Sequence, residues 1–378
     1  MSPIPGRIGR LPWGLLGMLA LVACAERFVA KHSLDFTRPE YLDWRETGKA
    51  ARRKAPGRDF LVFGTSMTQQ SLLPEVLGDR AGGTAYNLSV CAGQAPASYF
   101  LLKRAIDAGA KPRAVFVDFH PQYLASSYKD AASFWADLLD PAEALDLARE
   151  ARDPTFFAAT MSARTLPSVK DRLQIRLAIL AALRGESNNL RSMSLIFDHN
   201  KRRNHGALIY AAKPEFRGDV APQYVQVFLP KTWEIDPINA RYVRRFMGLA
   251  ALHGVEVRWV IPPLCPELQA RRDASRLDEP YTAFIRSVQA DFANLVVLDA
   301  RRSKYPAEVF CDAAHLDGRG ATAFSVAVGD ALASTREPGD TGRTWIELPS
   351  YRERVPVHPL FDLIRSQVAL RDAARARR

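Results

Sequence analysis

The sequence predicts an α/β fold: a three-layer, doubly wound parallel sheet with a helical insertion and an apolar N-terminal helix. Three observations predict it. Five short runs at Phe60–Phe63, 84–88, 114–119, 255–261 and 295–298 are rich in Val, Leu and Phe and scarcely alternate, as strands buried on both faces do. Apolar-faced helical patterns lie between them, 97–108 closed by Gly109 and 239–253 closed by Gly254. That is the β–α rhythm of parallel sheets. A chain of 378 residues, 47% hydrophobic and 25% charged, also has ample core for such a fold, and no fixed-period repeat suggests another.

At the N-terminus, Arg7 and Arg10 precede an uncharged run from Leu11 to Ala25 that ends at Glu26-Arg27. This run is shorter than the roughly 17–25 residues of a spanning helix. Phe28, Val29 and Ala30 extend it if Glu26 and Arg27 snorkel. Residues 1–30 thus read as an uncleaved signal anchor with its basic flank inside, as a cleaved secretory peptide, or, through Leu21-Val22-Ala23-Cys24, as a lipoprotein segment acylated at Cys24. All three put the following domain outside the cytoplasm. Residues 31–58 read as a basic linker.

The first strand then runs straight into Gly64-Thr65-Ser66, and 67–77 carries Leu72, Leu73, Val76 and Leu77 on one helix face. A serine is held at the mouth of a helix, beyond the carboxyl end of a strand, where open sheets bind ligands. Near the other end, after the strand 295–298, come Asp312, His315 and a Gly-rich turn. An apolar helix with Ala323, Phe324, Val326 and Leu332 follows. A serine hydroxyl becomes a nucleophile when a base takes its proton, and the base needs a carboxylate to fix its tautomer. A short Asp-x-x-His loop supplies both from one turn. Singly, Ser66 is equally a helix cap, Asp312 an N-cap and His315 a surface residue; jointly they form a candidate triad.

In these stretches, 59–120 and 240–333, the chain resembles the SGNH (GDSL-type) hydrolase superfamily, whose fold is flavodoxin-like. Gly64-Thr65-Ser66 is similar to its first block, with Thr65 where the family usually has Asp. Asn87-Leu88-Ser89-Val90-Cys91-Ala92-Gly93 is similar to the second, and Asp312 and His315 match the last. The third block, Gly-x-Asn-Asp, is missing near Val117-Asp118-Phe119-His120-Pro121, where His120 takes roughly the place of the asparagine. The resemblance implies Ser66 as nucleophile, His315 as base and then acid, and Asp312 as its orienting carboxylate. It implies an oxyanion hole from the N–H groups of Ser66 and Gly93, with His120 assisting, and no cofactor or metal.

The implied activity is that of an extracytoplasmic serine esterase or O-acyltransferase acting on an O-acyl ester, such as an acetyl ester, of a glycan. Anchored members with a degenerate third block resemble proteins that acylate surface polysaccharides, such as the alginate acetylation proteins. The implied partners are therefore a polysaccharide, the membrane and a membrane-bound acyl-donor protein. The alternative is a non-catalytic SGNH-like accessory module that binds a glycan or scaffolds an acyl-transfer complex. The complete triad favours the enzyme; the missing third block favours the binder.

The catalytic domain is expected over 59–335. It is interrupted by an insertion at about 121–236, too long for a connection and mostly helical: 131–139, Pro141–Glu150 and Arg172–Leu183. Leaving the carboxyl end of the third strand, the insertion rises over the crevice as lid, acceptor surface or padding. Arg172, Arg176 and Arg184 alternate with Leu173, Ile175, Leu177 and Ile179, an amphipathic pattern more often packed on a core than on a membrane. Residues 336–378 read as a surface extension. The net charge of +11 is spread in short clusters; these read as solvated faces, with no motif for nucleic acid. No Cys/His spacing reads as a metal site. Cys91, Cys265 and Cys311 permit at most one bridge, such as Cys91–Cys311, and read more simply as buried small hydrophobes.

Overall fold

The computed structural model describes residues 13–334, 344–355, 357 and 359–376. Six parallel strands form one sheet: β1 (Phe60–Phe63), β2 (Ala85–Asn87), β3 (Ala114–Val117), β4 (Glu256–Ile261), β5 (Leu295–Asp299) and β6 (Trp345–Glu347). Their spatial order is β2-β1-β3-β4-β5-β6. The chain steps outwards from β1 to β2 and then crosses back to β3, so the winding reverses between β1 and β3. An open sheet leaves a crevice at that reversal. Phe60 pairs with Ala114 and Phe63 with Val117, which brings the carboxyl ends of β1 and β3 level.

Because successive side chains in a strand point to opposite faces, β1 feeds two cores. Leu61 and Phe63 pack with Trp44, Phe100, Phe246 and Trp259 on one face. Phe60 and Val62 pack with Leu77, Phe310 and Phe324 on the other. The helices Pro39–Arg53, Ala95–Asp107 and Pro237–Leu252 cover the first face; Pro74–Ala81 and Gly318–Ser334 cover the second. Helices also occupy most of the stretch between β3 and β4.

Three expectations need correcting. The basic linker expected at 31–58 contains a helix, Pro39–Arg53, that belongs to the core: Trp44 and Ala51 are fully buried, and the Trp44 indole N–H donates to Cys91 O at 2.7 Å. The single helix expected over 67–77 is two, Ser66–Ser71 and Pro74–Ala81. Pro74 disfavours the α region at Leu73, which is extended (ψ 114). The C-terminal stretch is more than a surface extension. It supplies β6 to the sheet edge and a helix, Leu363–Arg375, packed on helix Leu190–Arg203. The Asn200 amide ties that pair together by donating to Phe361 O (2.7 Å).

At the N-terminus, Trp13–Lys31 is one continuous helix of 19 residues, long and apolar enough to cross a membrane. Arg7 and Arg10, the basic flank of the expected anchor, lie outside the described residues. All four cysteines are free, so no Cys91–Cys311 bridge exists.

Candidate active site

Ser66 stands where β1 ends. Gly64 turns the chain there with φ +130, and a Cβ at that position would lie 2.7 Å from Asp118 O, so a side chain is excluded twice over. Thr65 then caps the helix Ser66–Ser71: its hydroxyl accepts the Met67 N–H (3.1 Å) and donates to Asp118 Oδ2 (2.6 Å). As the first helical residue, Ser66 keeps an N–H with no acceptor inside the helix.

The loop after β2 is stitched to this helix. The Asn87 amide donates to Thr68 O (2.9 Å) and Leu72 O (3.0 Å), closing the end of the short helix. Its carbonyl oxygen accepts the Ser89 N–H (2.9 Å), and Val90 N–H donates to Gly64 O (3.1 Å).

Asp312 and His315 come from a loop closed on itself by the antiparallel bridge between Phe310 and Leu316. Asp312 Oδ1 accepts the N–H groups of Ala314 and His315, both at 2.9 Å. Burial pushes the Asp312 pKa up, but the His315 ring and these two N–H groups outweigh it and hold the carboxyl down at about 2. The ionised carboxylate accepts from His315 Nδ1 (2.9 Å to both oxygens), which fixes the tautomer with its lone pair on Nε2. Ser66 Oγ lies 2.9 Å from that Nε2, so its hydroxyl donates to the ring. Residues 249 positions apart in sequence thus meet in one line of hydrogen bonds. Ser325 holds the two halves together from helix Gly318–Ser334, donating to Ser71 O (3.0 Å) and accepting the Leu73 N–H (2.8 Å).

The remaining two expected residues are placed differently. The Gly93 N–H donates to Val90 O (3.1 Å) and is engaged, so the expected oxyanion donation from it does not fit. What Gly93 provides is closeness: a Cβ there would lie 2.3 Å from Gly64 O. Ala92, one residue earlier, takes the left-handed φ of 54, and its N–H has no acceptor among the described residues. The His120 side chain makes no hydrogen bond to Ser66, His315 or Asp312, but it lies near enough to His315 to feel its charge, and its Nε2 has no hydrogen-bond partner among the described residues. Its ring is buried edge-on against Phe228 (5.2 Å between centroids), and Nδ1 accepts the Gln122 N–H (3.4 Å), capping helix Pro121–Ala125. Burial, aided by the Arg272 charge, pushes its pKa down to about 3, so the ring is neutral.

Two features escaped the sequence reading. Asp118, at the end of β3, is buried directly behind the serine turn, and its Oδ1 has no hydrogen-bond partner. Burial raises its pKa to about 7 although the Thr65 hydroxyl and N–H favour the charged form. An acid one residue beyond a fully apolar strand was the available signal. The second feature is cover from the inserted stretch. Leu208 N–H donates to Gln69 O (3.0 Å) and Asn87 N–H donates to His205 O (2.9 Å). Farther along, the Tyr224 hydroxyl faces the Asp312 carboxylate, whose charge adds to burial in raising the phenol's pKa. Beneath this cover Ser66 is only 8% exposed. No protein-family model matches this chain, and no curated protein matches it.

Proposed function

We propose that the chain is an SGNH-like serine enzyme acting on an O-acyl ester outside the cytoplasm, held at the membrane by its N-terminal helix. The observation that carries this reading is the line Ser66–His315–Asp312, with both links at 2.9 Å, at the reversal of the sheet. Ser66 Oγ attacks the acyl carbonyl while its proton passes to His315 Nε2. His315 then returns that proton to the departing alcohol oxygen, leaving the acyl group on Ser66. Water, or a hydroxyl of a surface polysaccharide, takes the acyl group in the reverse sequence. Asp312, held ionised, keeps Nδ1 protonated and stabilises the imidazolium that forms. The Ser66 N–H, which has no acceptor inside its helix, is available to the oxyanion; the Ala92 N–H and the His120 Nε2, both without a hydrogen-bond partner among the described residues, are the candidates for a second donor.

The test uses the full chain in detergent with a fluorophosphonate probe. Covalent labelling that Ser66→Ala abolishes supports the enzyme, because losing the Ser66 hydroxyl removes one side-chain hydrogen bond, about 1 kcal/mol, and the variant remains folded. A parent protein labelled no better than Ser66→Ala removes Ser66 from the mechanism. One observation favours the second reading, a non-catalytic module that binds a glycan or scaffolds acyl transfer by a membrane-bound donor. The Gly93 N–H, one of the three groups expected at the oxyanion, is engaged elsewhere. The export of the domain is tested separately by a reporter fused after residue 60 of this sequence, which is active only outside the cytoplasm if the reading holds.

A further inference from the structure

Helix Arg172–Leu183, RLQIRLAILAAL, has no buried residue. A helix apolar over most of its circumference is normally enclosed by a core or a membrane. Here Leu173, Leu177, Ile179 and Leu183 are all at least half exposed, at 63%, 50%, 55% and 79%, and Leu180 is 42% exposed. Gln174, Ile175, Ala178 and Ala181 form the partly buried side, and the helix packs on the short helix Ser33–Phe36. The outward side therefore combines the leucines with Arg172, Arg176 and Arg184, all exposed. The pattern expected to pack on a core packs on none.

Its position is fixed beside the N-terminal helix. The preceding turn, Pro167–Lys170, packs against Trp13–Lys31. The Glu26 carboxylate accepts the Ser168 N–H (3.0 Å) and the Ser168 hydroxyl. The acid that ends the uncharged N-terminal run is thus bonded four residues before the exposed helix begins.

We propose that helix Arg172–Leu183 lies in the headgroup–acyl boundary of the anionic bilayer that helix Trp13–Lys31 enters, which rests on reading the latter as a membrane anchor. At 12 residues the exposed helix is about 18 Å long. A hydrocarbon core of ~30 Å is beyond its reach, so it lies in the plane of the surface. Its leucines enter the acyl region while the three guanidinium groups extend to lipid phosphates. Two contacts instead of one then fix how the sheet faces the bilayer.

The test reconstitutes the full chain in phosphatidylcholine vesicles with brominated acyl chains, with and without phosphatidylglycerol. The chain has six tryptophans, of which Trp13 opens the N-terminal helix. Leu180→Trp adds a second membrane-seated indole and is expected to raise the quenched intensity about twofold. Leu252→Trp, at an exposed site on helix Pro237–Leu252, is expected to leave it unchanged. Replacing Arg172, Arg176 and Arg184 by Gln should remove the extra quenching that phosphatidylglycerol produces. If Leu180→Trp is quenched no more than Leu252→Trp while Trp13 is quenched (read against Trp13→Phe), the proposal is overturned. The anchor stands in that case, and the helix faces water or a protein partner. If Trp13 too is unquenched, the anchor reading fails and takes the proposal with it.

Discussion

Asp118→Asn tests the electrostatics of the serine turn without touching the triad. Asp118 is buried, accepts from the Thr65 hydroxyl and leaves Oδ1 unpartnered. Its pKa is raised from 3.8 to about 7. The folded protein therefore holds a proton at this carboxyl that the unfolded chain has released. Stability from Asp118 is fully present below its unfolded pKa and is lost as pH rises through the window from about 4 to about 7. At ~1.36 kcal/mol per unit, that loss is about 4 kcal/mol. The amide of Asp118→Asn mimics the neutral acid in shape, still accepts from Thr65 and carries no charge to desolvate. Urea denaturation of parent and variant in detergent, over a pH series, reads the difference directly, and ionisations common to both cancel. The two stabilities should converge near pH ~4 and separate to about 4 kcal/mol in favour of the variant near pH ~8. Curves that stay parallel across the window would refute the reasoning: Asp118 would then be ionised and accommodated in the folded state.

His120→Asn should preserve the cap on helix Pro121–Ala125, since asparagine is a good N-cap. Ester turnover should stay within about threefold of the parent in this variant, and a fall of ~10²–10³ in His120→Ala beside it would mark an oxyanion role for the ring, which asparagine can replace. Gly93→Ala drives a methyl to 2.3 Å from Gly64 O. Thermal melting should show a loss of roughly 1–3 kcal/mol from overpacking, with slower probe labelling as the serine turn shifts. Trp44→Ala removes a fully buried indole and its bond to Cys91 O. A loss of ~3–5 kcal/mol in denaturant unfolding is expected, and a surface-like effect below ~0.5 kcal/mol would return residues 31–58 to the status of a linker.

Legibility of the sequence followed the reach of each signal. β1, β3 and β4 were readable because strands buried on both faces are continuous apolar runs, and that signal is local. Trp345-Ile346-Glu347 is three residues long, at the sheet edge, in a charged stretch, and nothing local marks it as β6. Helix Pro39–Arg53 was missed because its inward side includes Asp43, Thr47 and Gly48 beside Leu42, Trp44 and Ala51. Asp43 is buried because it has partners, accepting from Gln69, Cys91 N–H and Lys201. Hydropathy counts such a residue as exposed. The placement of Ser66 against His315 and Asp312 agrees with the order of motifs, since a strand-end serine and an Asp-x-x-His turn each carry their own local geometry. The Gly93 expectation misled because what matters there is which neighbour holds its N–H, and only tertiary packing decides that.

The same packing separates the two functional readings. A glycan-binding surface has no use for a base, and a partly buried Asp–His pair is weak support for stability, since desolvation offsets much of its attraction. Asp312 nevertheless spends two backbone N–H groups and a loop closure on staying ionised, and its whole output is a lone pair on His315 Nε2 aimed at Ser66. Moving the serine proton would use that arrangement directly, which is why the enzyme is the reading proposed. What it does not guarantee is rate: the Gly93 N–H is held by Val90 O, and a missing oxyanion donor is worth ~2.7–4 kcal/mol of barrier. Acylation by an activated probe needs little oxyanion stabilisation, while turnover of an unactivated acetyl ester needs all of it. Labelling with slow ester hydrolysis would therefore mark a serine enzyme whose oxyanion hole is incomplete in this chain and is completed by the acyl acceptor or the donor protein. Absence of both would leave the hydrogen-bonded line without a use, and the binding module would be the better account.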